Sequence, residues 1–239
     1  ATWARLDAAA QAHGLATTGG RVSTTGVAGL TLGGGSGWLE RKHGLACDNL
    51  IAAELVTADG RVVRADGDQH PDLLWALRGG GNFGVVTALE FALHPVGPEV
   101  FGGLALWPAD RGAELLARFR DTMRDAPEGL SLAFVYATAP AEDDVPPELH
   151  DQPVAIVAGM YAGEVGDGER LLAGLRASGP AVDGFGTTTY AEFNSSLDDP
   201  PGYRNWWTAE HLDDLTPEAI TRIHDRAREL PAGASQLFI

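Results

Sequence analysis

The chain has 239 residues, 44% of them apolar, with a formal net charge of −16. That length suits one large domain or two ordinary ones, and the acidic balance excludes a nucleic-acid partner and disfavours an anionic membrane surface. No segment approaches the roughly 18 apolar residues of a membrane helix, and the lone Cys47 excludes an intrachain disulfide or zinc cluster and is compatible with a reducing compartment.

In chain order, the alanine-rich segment 3–13 predicts a helix stopped by Gly14. The stretch 15–37 is punctuated by glycine between short apolar pieces, and Trp38 to His43 predicts one or two helical turns ending at Gly44. Residues 50–58 predict a strand, Asp59-Gly60 a two-residue hairpin turn, and 61–65 its partner. Pro71 suits the first turn of a helix through Leu77, and 84–94 predicts a long strand. Pro95 and Gly97-Pro98 break the pattern, which sets an expected domain boundary there, giving 1–97 and 98–239. Beyond it come a strand at 100–107, a helix at 110–124, strands at 130–138 and 153–161, a helix at 167–177 and a strand at 182–189. Acidic, proline-rich stretches at 140–148 and 198–202 read as surface loops. A helix over about 217–229 and a strand beginning at Ser235 close the chain. The fold class is α+β with mostly hairpin-connected sheets.

The densest signal is Val27-Ala28-Gly29-Leu30-Thr31-Leu32-Gly33-Gly34-Gly35-Ser36-Gly37-Trp38. Glycines edged by Val, Leu and Trp are not linker composition. They let a backbone lie against something flat or multiply charged, and free N–H groups in such a turn form a nest for anionic oxygens. A second run, Gly79-Gly80-Gly81-Asn82-Phe83-Gly84, has the spacing of a dinucleotide turn, but here a helix precedes it and a strand follows, the reverse of that fold. Gly34-Gly35-Ser36-Gly37 misses the nucleophile-elbow spacing by one residue, because Trp38 stands where the last glycine belongs. The seven histidines are scattered, and the acidic pairs Asp143-Asp144, Asp198-Asp199 and Asp213-Asp214 read as solvated charge. Cys47 reads as a small buried hydrophobe. For Tyr203 and Trp206-Trp207, core packing outweighs a role in lining a substrate surface.

The order of motifs narrows the reading. Gly26 to Gly35 is followed by Arg41-Lys42-His43-Gly44-Leu45-Ala46-Cys47-Asp48-Asn49, the strand Ile51–Thr57, the Asp59-Gly60 turn, and Pro71-Asp72-Leu73-Leu74-Trp75-Ala76-Leu77-Arg78-Gly79-Gly80-Gly81-Asn82-Phe83-Gly84-Val85-Val86. This set resembles the berberine bridge enzyme-like flavoprotein oxidases of the vanillyl alcohol oxidase superfamily, densely from Trp3 to Val96 and loosely beyond.

The resemblance implies FAD as cofactor. It implies a chain made of the second lobe of a PCMH-type FAD-binding domain (1–97) and part of an antiparallel-sheet-plus-helices substrate domain (98–239). The first lobe, with the flavin-linking histidine, and the C-terminal segment with the general base are then expected outside this chain, so no catalytic residue is assigned within it. The cofactor-contacting positions implied are Val22, Thr25, Gly26, Gly29, Leu30, Thr31, Gly33, Gly34, Gly35, Gly37, Gly44, Asn49 and Ile51. Gly26, Gly29 and Gly33 to Gly35 are expected to bring backbone N–H groups to the flavin and ribityl chain, Thr31 to add a hydroxyl, and Gly44, Asn49 and Ile51 to hold the strand edge beside it. Two departures matter: Val22 stands where many members carry a second flavin-linking cysteine, and Leu30 where plant members carry a histidine. Tyr136, Tyr203 and Trp206 are candidate substrate contacts. The activity implied is oxidation of an alcohol, sugar or secondary metabolite by hydride transfer to flavin, with dioxygen as acceptor. A dehydrogenase using another acceptor, or a non-catalytic flavin-binding or structural remnant, are the alternatives.

Overall fold

The computed structural model describes residues 1–198, 202, 204–231 and 233–239. They form two compact units, Ala1–Val100 with Thr188–Asp199, and Phe101–Thr187 with Pro200–Ile239. These are called units 1 and 2.

Unit 1 opens with α1 (Trp3–Gln11), β1 (Leu15–Ala16), α2 (Val27–Leu32) and α3 (Glu40–His43). A hairpin follows, β2 (Leu50–Val56) and β3 (Val62–Ala65), then α4 (Pro71–Leu77), β4 (Val85–Phe91) and β5 (His94–Pro95). β2 is the centre of an antiparallel sheet in the order β3-β2-β4. Its register slips between Leu50 and Ala52, so Ile51 bulges and points its side chain outward. Leu50, Ala53 and Leu55 of the sheet bury against Leu74 and Leu77 of α4. A second core forms where Trp3 meets Val27, Ala46, Leu30 and Phe91. The Trp3 ring packs close to Gly19 and Gly20, where a Cβ would stand 2.6 and 3.2 Å from ring carbons. β1 pairs with β5, and Gln11 donates to the carbonyls of Leu15 and Val96, which ties the two ends of the lobe.

Unit 2 is built on β6 (Glu99–Pro108), α5 (Gly112–Arg124), β7 (Leu130–Thr138), β8 (Pro153–Tyr161), α6 (Val165–Arg176), β9 (Val182–Asp183) and β10 (Gly186–Thr189). The chain then returns to unit 1 as α7 (Tyr190–Ser196), and unit 2 ends with α8 (Pro217–Ala227) and β11 (Leu237–Phe238). The sheet order is β10-β6-β8-β7-β11, with β9 also on β6. Strict alternation puts Phe101, Ala105, Trp107, Leu130, Phe134, Tyr136, Ala155 and Val157 on one face. Leu115, Leu116 and Phe119 of α5, Leu172 and Leu175 of α6, and Ile220 and Ala227 of α8 bury against it.

The predicted elements with strong periodicity stand where expected, within a few residues at their ends. Two helices do not. α2 carries a glycine and β-branched residues, weak helix formers, and forms because Val27 and Leu30 reach the Trp3 core. α7 follows a capping box: the Thr189 hydroxyl accepts from Glu192 N–H, and the Glu192 carboxylate accepts from Thr189 N–H. The expected strand 182–189 is two short strands separated at Gly184. Most of the 198–202 loop lies outside the described residues.

Candidate functional site: a glycine cradle in unit 1

The glycine run is not an open loop but a helix and its stop. Gly26 precedes α2, and the N–H groups of Gly33 and Gly34 turn back to the carbonyls of Leu30 and Thr31. Gly34 and Gly35 then offer their carbonyls to Cys47 and Ala46 N–H, both at 2.8 Å, which fastens the turn to the segment before β2. Gly34 has φ +115°, a conformation that side chains rarely adopt.

The glycines divide by what a side chain would meet. At Gly35 a Cβ would stand 2.7 Å from Ala46 Cβ, at Gly37 it would stand 1.8 Å from the Gly19 carbonyl oxygen, and at Gly44 2.8 Å from the Asp48 carboxylate. Gly37 is buried and Gly35 and Gly44 are half-buried, and at all three the space a side chain would need is already filled. At Gly33 the nearest atom, the Leu30 carbonyl oxygen, is 3.6 Å away. Gly26, Gly29 and Gly34 are different: nothing lies within 4 Å of the position a Cβ would take. Gly26 and Gly29 are exposed and Gly34 is buried, and all three leave the space a side chain would need empty along one short segment, here called the cradle. Among the described residues, the N–H groups of Gly26, Ala28, Gly29 and Gly35 have no backbone acceptor. They, not those of Gly33 and Gly34, are the donors left for a ligand. The expectation for Gly33 and Gly34 is corrected because α2 uses their N–H groups as its own C-terminal stop.

Two expected polar contacts are also turned inward. Thr31 is fully buried and its hydroxyl donates to the Val27 carbonyl at 2.8 Å, within its own helix. Asn49 is buried as a loop clamp: its Nδ2 donates to the carbonyls of His43 and Leu45, which leaves Oδ1 as acceptor for His94 Nε2 at 2.6 Å. The His94 ring stacks on His43 at 3.9 Å. Burial, then the neighbouring His94 and Lys42 charges, pushes His43 down to about 4. Leu30 packs over Gly20 and Gly35 rather than reaching outward. Val22 and Thr25 are half-buried just before Gly26, and the Thr25 carbonyl takes the Trp3 N–H. Ile51 exposes its side chain at the bulge. Cys47 is buried as expected, and burial followed by the Asp48 charge raises its thiol, so it is a poor nucleophile.

The second glycine run, set aside as a dinucleotide turn, lies against this cradle. A Cβ on Gly79 would stand 3.9 Å from Cα and N of Gly34, and Arg78 donates Nε and Nη2 to the Leu50 carbonyl. The sequence held the motif but no signal of what it touches.

Of the candidate substrate contacts, Tyr136 belongs to the unit 2 core, with its hydroxyl 3.1 Å from His224 Nδ1 and burial pushing it up to about 12. Tyr203 lies outside the described residues. Trp206 and Trp207 are 85% and 65% exposed, against the expectation of core packing, and Trp207 leans on Phe238 at 5.8 Å. Their segment follows no periodic pattern that would turn them inward. Among the described residues no His, Cys, Asp and Glu group is arranged to hold a metal ion, and no helix is long and apolar enough to cross a membrane.

The family described as FAD binding domain matches residues 1–66. The FAD-linked oxidoreductase pgmH of Aspergillus terreus is 35% identical over 187 residues, which is 76% of this chain and 36% of that protein. The crystal structure of 6-hydroxy-D-nicotine oxidase from Arthrobacter nicotinovorans superposes with a TM-score of 0.72 at 31% identity, covering 83% of this chain and 43% of that one. Wild-type BBE-like 1 from Physcomitrella patens gives a TM-score of 0.68 at 26% identity, covering 82% and 42%. The chain thus spans less than half the length of these relatives. By its motifs, its matched domain and its fold, the chain carries an FAD-binding segment and is similar to the FAD-linked oxidoreductases of the berberine bridge enzyme-like group.

Proposed function

We propose that unit 1 supplies one wall of an FAD site in an FAD-dependent oxidase of a small alcohol, sugar or secondary metabolite, and that unit 2 belongs to its substrate-binding part. The observation that carries this reading is the set of open glycines, Gly26, Gly29 and Gly34, within the segment matched to the FAD binding domain. These backbones would lie against the cofactor. The N–H groups of Gly26, Ala28, Gly29 and Gly35 would donate to its oxygens, the Thr25 hydroxyl would add a donor, and Ile51 would give it an apolar edge. A buried hydrogen bond to a charged acceptor contributes about 1.5–3 kcal/mol, so a few preorganised donors suffice without a basic surface. Bound FAD supplies the hydride-accepting chemistry, with dioxygen as the proposed final acceptor. The protein's part is to orient the cofactor, shape its electrostatics and exclude water.

The test is the visible spectrum of the natural-length protein before and after acid precipitation. Flavin retained in the precipitate means covalent FAD, and with Val22 in place of a cysteine the link would fall to a histidine. Flavin released to the supernatant means non-covalent FAD. No flavin in either fraction, and none gained on reconstitution, overturns the proposal. Rapid reoxidation of the reduced protein by air supports an oxidase, and slow reoxidation a dehydrogenase.

A further inference from the structure

Arg78 lies outside the residues matched to the FAD binding domain. Its placement is unusual for an exposed arginine. The backbone turns sharply after α4: Gly79 takes φ +93°, and the N–H groups of Arg78, Gly79 and Gly80 all fold back onto the carbonyls of Trp75, Leu77 and Ala76. This turn brings Gly79 beside Gly34: a Cβ added at Gly79 would stand 3.9 Å from Gly34 Cα and N, ordinary van der Waals contact. The guanidinium is then fastened to the Leu50 carbonyl, Nη2 at 2.7 Å and Nε at 3.1 Å. Leu50 is the residue before the Ile51 bulge, and Cys47, whose N–H holds the Gly34 carbonyl, feels the Arg78 charge.

Arg78 is therefore held by a neutral carbonyl alone. Among the described residues no carboxylate pairs with it, although the chain has 33 acidic side chains against 17 basic ones. Its Nη1 has no acceptor among the described residues. A planar fork fixed on one edge and free on the other is preorganised for an oxyanion. A purely structural staple for the end of α4 would need the bonds to Leu50 but not the uncompensated charge beside the cradle.

We propose that Arg78 is a cofactor-binding cation, which presents its free guanidinium edge to an anionic oxygen of the FAD lying on Gly26, Gly29 and Gly34. The proposal rests on the FAD reading above. The anionic oxygen belongs either to the pyrophosphate or to the reduced flavin ring, and the experiment separates the two.

Apoprotein of natural length, made under flavin limitation, is titrated with FAD and with riboflavin across a range of salt concentrations, for the parent, Arg78→Gln and Arg78→Lys. The melting temperature of each apoprotein is measured alongside. Arg78→Gln is expected to weaken FAD by about 10- to 100-fold and to flatten its salt dependence, while Arg78→Lys restores the salt dependence and part of the affinity. A loss for FAD but not for riboflavin assigns the pyrophosphate. A lowered flavin midpoint potential in Arg78→Gln, with little loss of oxidised FAD, assigns the reduced ring. An unchanged affinity, salt slope and potential in Arg78→Gln overturns the proposal and leaves the FAD reading standing, and so does a lower melting temperature with the salt slope intact. A parent protein that binds no FAD overturns both.

Discussion

The two units treat buried polar atoms in opposite ways. Among the described residues, ten buried side-chain nitrogen and oxygen atoms lack a hydrogen-bond partner, and nine of them are in unit 1. They include Trp3 Nε1, Asp7 Oδ1, Thr17 Oγ1, His43 Nε2, Tyr190 OH and Asn194 Oδ1. Among the described residues of unit 2 there is only Trp107 Nε1. Unit 2 is a regular sheet whose backbone satisfies itself and whose helix-facing side is apolar. Unit 1 is assembled from short elements whose buried polar groups are less completely paired within the protein.

The sharpest way to test the contrast is within unit 1 itself, between glycines that pack and glycines that stay open. Gly37→Ala drives a Cβ to 1.8 Å from the Gly19 carbonyl oxygen. A backbone contact has no rotamer to relieve it, so a loss of about 3 kcal/mol or more is expected, read as a failure to fold or a collapse in melting temperature. Gly29→Ala should behave in the reverse manner. Its Cβ meets nothing within 4 Å, and alanine favours the helix by about 0.5–1 kcal/mol. The protein should therefore keep or gain stability while losing bound flavin. Normal flavin content in Gly29→Ala would remove the cradle from the proposed site. Gly34→Leu should also abolish flavin loading, with some added backbone strain from φ +115°.

The next effect in size comes from Asp7, which shows what an unfinished hydrogen bond costs. Burial pushes its carboxyl up to about 6, only partly opposed by the bond from Asn194 Nδ2 at 2.8 Å. Asp7 is raised above its unfolded value, so the folded state holds the proton more tightly. Its contribution is full below about pH 4 and is lost as pH rises through 6, a swing on the order of 3 kcal/mol. Asp7→Asn keeps the shape without the charge and should raise stability at pH 7 to 8. His43 works in the opposite direction: lowered to about 4, it adds stability as pH rises from 4 towards 6.5. Melting curves of Asp7→Asn across pH 4 to 8 should thus show a steeper loss in acid than the parent. A parallel curve would mean that Asp7 ionises normally.

The smallest effect is expected in unit 2. Trp206 is exposed and borders no core, so Trp206→Ala should change stability by less than about 0.5 kcal/mol. A fall in turnover with stability unchanged would place it at a substrate surface. A large loss of stability would show that it packs after all.

Much of the architecture was legible before the structure. The strands 130–138 and 153–161 and the helix 71–77 stand as predicted, because a buried face imposes its period on the residues that make it. The order of the glycine motifs pointed to the family, and with it to FAD. The reversed helix-strand order around Gly79 was also readable, and α4 and β4 flank the loop accordingly. The capping box Thr189-x-x-Glu192 was present in the sequence as the sign of α7, although the strand-like run before it masked the signal.

What the sequence determined by itself was therefore periodicity, punctuation and kinship, all properties of neighbours along the chain. Tertiary structure decided which glycines stay open and which are filled by Ala46, Asp48 or the Gly19 carbonyl. It also decided that Thr31 and Asn49 turn inward, and that Arg78 is fastened to Leu50 beside Gly34. The physical reason is that a glycine or a polar side chain carries no period of its own. Whether its hydrogen bonds go to the protein or remain for a ligand depends on segments tens of residues away, and only folding brings those into reach.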